Sequence, residues 1–106
     1  MNSDRLSILL GQLQSEGNDP FILYGIAMEY MSSQDFDMAA EYLIKNMEEF
    51  PDYVPTYYQL GVCLDEMDEV EKAISVMKIG RKIAISSNDE KAVSELSSYI
   101  QNLEME

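Results

Sequence analysis

Apolar residues recur along the chain with the spacing of a helix face. Leu23, Ile26, Ala27 and Tyr30 fall at i, i+3, i+4 and i+7, and Tyr57, Leu60, Gly61 and Leu64 repeat that spacing. Upstream, Leu6, Leu9, Leu10 and Leu13 make a further stripe that Gly17 is placed to end; downstream, Val93, Leu96, Ser97 and Ile100 make another. Stripes of this kind cannot stay wet, so each predicts a helix packed on a neighbour. Asp19 with Pro20 supplies an N-cap and a first-turn proline, and Pro51 and Pro55 bracket the next helix start. Ser87 with Glu90 has the spacing of a capping box. Polar turns at SSQD and MDE separate helices, and nothing alternates as a strand does. The predicted fold class is all-α.

Displaced by 34 residues, the chain overlays on itself without a gap. Leu23 falls on Tyr57, Ile26 on Leu60, Ala27 on Gly61, Tyr30 on Leu64, Ala39 on Ala73 and Leu43 on Met77. A period of 34 built from paired helices resembles the tetratricopeptide repeat, over residues 20–53 and 54–87. The family's large residue near the start of the first helix matches Leu23 and Tyr57, followed by the pairs Ile26-Ala27 and Leu60-Gly61. Its aromatic opening the second helix matches Phe36 and is weakened to Val70; its small residue at the helix crossing matches Ala39 and Ala73; its closing proline matches Pro51. Two places depart from the pattern. Ile85 stands where a second proline belongs, which predicts that this helix runs on and that the next one starts late; Asn46 stands where the family usually has a small apolar residue.

The resemblance implies antiparallel helix pairs, about six helices in all, wound as a small right-handed superhelix within one domain over residues 1–106. A packing helix over residues 3–16 precedes repeat 1 (20–53) and repeat 2 (54–87), and a capping helix over residues 88–105 follows them. Two repeats alone bury too little, since such arrays need about three units, and the end helices supply the remainder.

Charge narrows the partners. Asp and Glu outnumber Lys and Arg by 20 to 7, a formal net charge of -13, so nucleic acid and an anionic membrane would repel the chain. The 46% hydrophobic share is that of a folded domain. Cys63 is the single cysteine, which leaves no internal disulfide and fits a reducing, cytoplasmic setting. The amino terminus lacks the basic start, long apolar core and small-residue cleavage site of a signal peptide, and the apolar run from Phe21 to Met28 is too short to span a bilayer.

Chemistry for catalysis is thin. The sequence has no histidine, no phosphate loop, no paired zinc cysteines and no nucleophile elbow. DEMDEVEKAISV carries carboxylates without the ligand spacing or glycine of a calcium loop. Cys63, beside helical core positions, reads as a packing residue. The expectation is a non-enzyme without cofactor or metal. Asp65, Glu66, Asp68, Glu69 and Glu71 read as a solvated turn, and Lys72, Lys78, Arg81 and Lys82 as a solvated helix face.

Tyr57 and Tyr58, adjacent in TYYQLG, divide between two roles. Tyr57 belongs to the core stripe. Gly61, which costs ~1 kcal/mol relative to alanine inside a helix, marks a close approach of the partner helix, and Gly80 reads the same way. The resemblance implies that the first helix of each pair lines a concave groove, through Phe21, Tyr24, Met28 and Met31 in repeat 1 and Tyr58, Val62 and Asp65 in repeat 2. Aromatic and methionine side chains suit a binding surface. The Lys, Asn and Arg that some family members use to grip a carboxylate are absent there, with Tyr24, Met28 and Gln59 in the corresponding places. The predicted function is a protein-protein interaction module that takes a peptide or helix in this groove; the alternative is a structural, self-associating small subunit of a larger assembly.

Overall fold

The computed structural model describes residues 3–106. Among the described residues there are six helices: α1 (Ser3–Glu16), α2 (Pro20–Ser32), α3 (Phe36–Glu49), α4 (Pro55–Glu66), α5 (Val70–Ser86) and α6 (Glu90–Glu104). The chain forms two compact units, Met1–Tyr53 and Val54–Glu106, divided where the 34-residue register changes repeat.

Three of the helices end alike. Beyond α2, α4 and α5, residues Gln34, Asp68 and Asn88 take φ of 62°, 61° and 59°, the left-handed conformation. Their N–H groups donate to the carbonyls of Met31, Asp65 and Ile85, and the following N–H groups donate to Tyr30, Leu64 and Ala84 at 2.9, 2.8 and 2.9 Å. This is the Schellman pair of bonds, which satisfies carbonyls that a helix end otherwise leaves without partners. The residue after each left-handed one is the N-cap of the next helix: Asp35, Glu69 and Asp89. One residue thus closes a helix and its neighbour opens the next.

That geometry corrects the capping box predicted for Ser87 and Glu90. Ser87 instead closes α5, its Oγ donating to the Ala84 carbonyl at 3.2 Å, and Asp89 caps α6 by accepting from the Ala92 N–H at 3.1 Å. The left-handed turn at Asn88 brings the chain round within one residue, so Ser87 stands too early to reach the first turn of α6. The helix that lacks a closing proline does run on: α5 has 17 residues against 14 in α3. Gly17 ends α1 at φ 82°, its N–H donating to the Leu13 carbonyl.

In the unit Met1–Tyr53, α2 and α3 pair, and Leu23, Ile26, Ala27, Ala39 and Leu43 have no exposed surface. Against α2, α1 contributes Leu6, with Leu9, Leu10 and Leu13 packed round Ile22 and Ile26. Glu29 is buried on α2 and meets Arg5 of α1, Nε to Oε2 3.4 Å. In the unit Val54–Glu106, α4 and α5 pair and α6 covers α5, burying Ala73, Met77, Ala84, Leu96, Ile100 and Leu103.

Size matching sets how closely the helices of the second unit approach. Tyr57 is 2% exposed and its ring stem lies against Gly80, where a β-carbon would stand 2.7 Å from Tyr57 Cγ and closer still to Cβ. Met77 lies over Gly61 in the same manner, with Sδ 2.9 Å from the place of a β-carbon. The register puts Leu23 and Asn46 in the first unit at the places of Tyr57 and Gly80. There the volume is distributed differently, a smaller residue on the first helix and a larger one on the second. Asn46 is fully buried, and its Nδ2 donates to the Pro20 carbonyl at 3.2 Å.

Gly80→Ala is expected to lower stability by about 1–3 kcal/mol, because the added methyl meets Tyr57 Cβ, which the backbone holds in place. Gly61→Ala is expected to be destabilising too, because Met77 is fully buried and its Cγ as well as its Sδ and Cε must move to admit the methyl; each variant is offset by up to ~1 kcal/mol of helix propensity. Urea midpoints of the two variants measure both losses directly. Gln34→Gly is expected to raise stability by about 0.5–1 kcal/mol, through relief of left-handed strain in a residue type that lacks the local bonds of Asn or Asp. The same denaturation series reads that gain.

Candidate interaction site

The predicted groove residues of the first unit share one stripe of α2. Phe21, Tyr24, Met28 and Met31 follow at i, i+3, i+7 and i+10, beside the core stripe and apart from it. Phe21 is 71% exposed, and the other three are half-buried. The start of the stripe is held firmly. Asp19 accepts from the N–H groups of Phe21 and Ile22 at 2.8 and 3.3 Å, Asn46 holds the Pro20 carbonyl, and Asn18 donates to Glu49 of α3.

Tyr53 joins this stripe. The chain leaves α3 at Phe50, and the Tyr53 N–H turns back to the Phe50 carbonyl at 3.1 Å. Its ring meets Phe21 edge-on at 5.4 Å between centroids and Tyr24 edge-on at 5.8 Å. Edge-to-face packing of this kind adds about 0.5–1.5 kcal/mol per pair beyond area burial. Burial pushes the Tyr53 phenol above its usual range, and nearby Tyr24 and Asp19 add to the shift. Three aromatic rings with a carboxylate close by therefore form the head of the stripe, and Met28 and Met31 continue it. On α2 the one charged residue is Glu29, which faces α1 and Arg5. The outward strip of the helix carries no charge.

The predicted groove residues of the second unit are engaged within that unit. Tyr58 meets the Tyr99 ring of α6 edge-on at 5.6 Å, and Asp65 accepts from the Tyr99 hydroxyl at 2.8 Å. Val62 packs against the unit's core. One side chain of α6 thus spans two of the predicted site residues of α4. Burial raises the Tyr99 pKa well above the ordinary phenol value, with the hydrogen bond to the Asp65 carboxylate next in effect and the charges of Asp65, Tyr58 and Glu66 adding to it.

Sequence reasoning missed Tyr53 and Tyr99. Tyr53 sits in a turn between two prolines, where a helix-face pattern has nothing to say about direction. Tyr99 follows Asp65 by 34 residues, but its meeting with that residue depends on how α6 lies, and spacing alone does not report it. Elsewhere in the second unit an open cleft of about 290 Å³ lies by the Asn88 turn, between Ile85 and Val93, and holds none of the predicted residues. Among the described residues, no group of three His, Cys, Asp or Glu is placed to hold a metal ion, and no helix is long and apolar enough to cross a membrane.

Helix pairs in a 34-residue register, joined by the same left-handed turn, define an all-α helical-repeat protein. Known structures narrow the class. A tetratricopeptide repeat domain protein of Salinibacter ruber, in its crystal structure, superposes with a TM-score of 0.78 at 31% identity, over 82% of this chain and 97% of that one. Its solution structure gives the same score and identity over 88% of that chain. Protein BPP2914 of Bordetella parapertussis shares the fold at TM-score 0.83 and 21% identity, over 94% of this chain and 87% of its own. No protein-family model matches the chain, and no curated protein does. The chain belongs to the tetratricopeptide repeat family.

Tyr99→Phe is expected to lower stability by about 1 kcal/mol at neutral pH, a value reduced from that of a buried charged hydrogen bond because both partners are partly solvated. The pH dependence has a definite sign. Folding raises the Tyr99 pKa above its unfolded value near 10, so the contribution is complete below about pH 10 and is lost as pH rises beyond it. Stability measured between neutral pH and strong alkali is expected to fall less steeply above about pH 10 in Tyr99→Phe than in the parent.

Proposed function

We infer that the protein is a non-catalytic protein-protein interaction module of the cytoplasm, and that it binds a peptide or helix of another protein on the outward face of α2. Its family is one of interaction modules in general, which supports the class of function. The observation that carries the choice of face is the uncharged strip of Phe21, Tyr24, Met28 and Met31, headed by the ring contacts to Tyr53. On a chain of net charge -13, an uncharged strip with an exposed Phe21 and three half-buried neighbours offers apolar surface to a partner. Aromatic residues offer large rigid contact area and methionines an adaptable one, which is the composition of binding hot spots. The corresponding α4 residues, Tyr58, Val62 and Asp65, serve this reading less directly, since Tyr99 and the core of their own unit already engage them.

The test is binding by the double variant Phe21→Ala/Tyr24→Ala with its fold verified by circular dichroism. Loss of a partner that the parent chain captures is the expected result; retention of every partner overturns the assignment of the face. Concentration-dependent self-association that disappears in the same variant establishes the structural-subunit alternative instead.

A further inference from the structure

We propose that the occupant of the α2 face is a cationic amphipathic segment, apolar along one side and bearing Lys and Arg along the other. This rests on the interaction-face reading above and adds the chemistry of the partner. Residues 1–53 contain ten Asp and Glu but only two cations, Arg5 and Lys45. Both cations are already engaged, Arg5 with Glu29 at 3.4 Å and Lys45 with Glu49 at 3.9 Å. The unit therefore carries an excess of eight negative charges, ten less two, while the strip itself has none.

The strip has the dimensions of a helix face. From Phe21 to Met31 it runs about 15 Å along α2, at 1.5 Å per residue. That length takes the anchors of a helical segment at i, i+3 or i+4, and i+7. The unit that carries the strip is anionic overall, so a segment whose flanks bear Lys and Arg gains steering toward it at long range. At the head of the strip the exposed Phe21 ring and the Tyr53 ring against it offer π faces, and Asp19 lies close enough to Tyr53 to raise its pKa. A guanidinium or ammonium group is attracted to such a face within about 6 Å. An acidic segment would be repelled by the same net charge, and a wholly apolar one would gain no steering from it.

Three synthetic peptides of one length, with Leu at identical helical positions and Lys/Arg, Gln or Glu on the polar side, test this on the full chain by calorimetry. The Lys/Arg peptide is expected to bind at least about tenfold tighter than the Gln peptide, and the Glu peptide weakest. Phe21→Ala is expected to lower the melting temperature by no more than loss of the Tyr53 ring contact accounts for, to keep the fold, and to weaken the Lys/Arg peptide by about tenfold. Raising ionic strength from about 0.05 to 0.5 M is expected to erase most of the difference between peptides. Ile85→Ala, an exposed apolar residue of the second unit, is the control and is expected to leave binding unchanged. If the Gln peptide binds as tightly as the Lys/Arg peptide and Phe21→Ala abolishes both, the cationic assignment is overturned and the face stands. If affinity for the Lys/Arg peptide is indifferent to Phe21→Ala, charge alone holds it, and both the assignment and the face fall.

Discussion

Where Tyr57 of α4 presses its β-carbon against Gly80 of α5, two helices come as close as a side chain and a bare backbone allow. The rest of that unit follows from the approach. Met77 fills the space over Gly61 one contact further along, and Ala73 occupies the crossing with no exposed surface. Each glycine weakens its helix by ~1 kcal/mol in propensity, an effect that buried aromatic and methionine surface offsets. The first unit solves the same packing problem with other sizes. Leu23 and Asn46 replace Tyr57 and Gly80, and the amide of Asn46 gains a second task, holding the Pro20 carbonyl at the start of α2.

That second task ties packing to the candidate site. Pro20 immediately precedes Phe21, so the bond made by the buried Asn46 Nδ2 also fixes the head of the strip. Asp19 adds its capping bonds at the same point. A binding face gains affinity when its anchors are ordered before the partner arrives, because less freedom is lost on association. In the second unit ordering takes another form. There Tyr99 of α6 packs on Tyr58 and bonds Asp65, so the equivalent face is structured by the chain itself.

The core was legible in the sequence because it depends on periods that spacing reports. Tyr57, Leu60 and Leu23 lie in the stripes where the 3.6-residue period puts them, and the missing proline at Ile85 correctly marked the longer α5. The caps were harder to read. Ser87 and Glu90 have the right spacing for a box, but Asp89 is nearer the helix start and a stronger acceptor, and the left-handed turn at Asn88 decides between them. The left-handed conformation of Gln34 carries no sequence signal at all, since glycine or asparagine is the residue that announces such a turn. Of the candidate site, the α2 stripe was visible as a pattern. The partners Tyr53 and Tyr99 were not, because a turn's direction and a helix's lie are settled by tertiary packing.

The claim that one register is satisfied by two different divisions of volume is tested most directly by transplanting one division into the other unit. In a double-mutant cycle of Tyr57→Leu and Gly80→Asn, the single change Gly80→Asn places a side chain against the Tyr57 stem and is expected to be strongly destabilising. Adding Tyr57→Leu, which recreates the Leu23 and Asn46 pair, is expected to restore part of that loss, with a favourable coupling of about 1–3 kcal/mol. Strictly additive effects, in which the double variant is as unstable as the sum of the singles, would contradict the account.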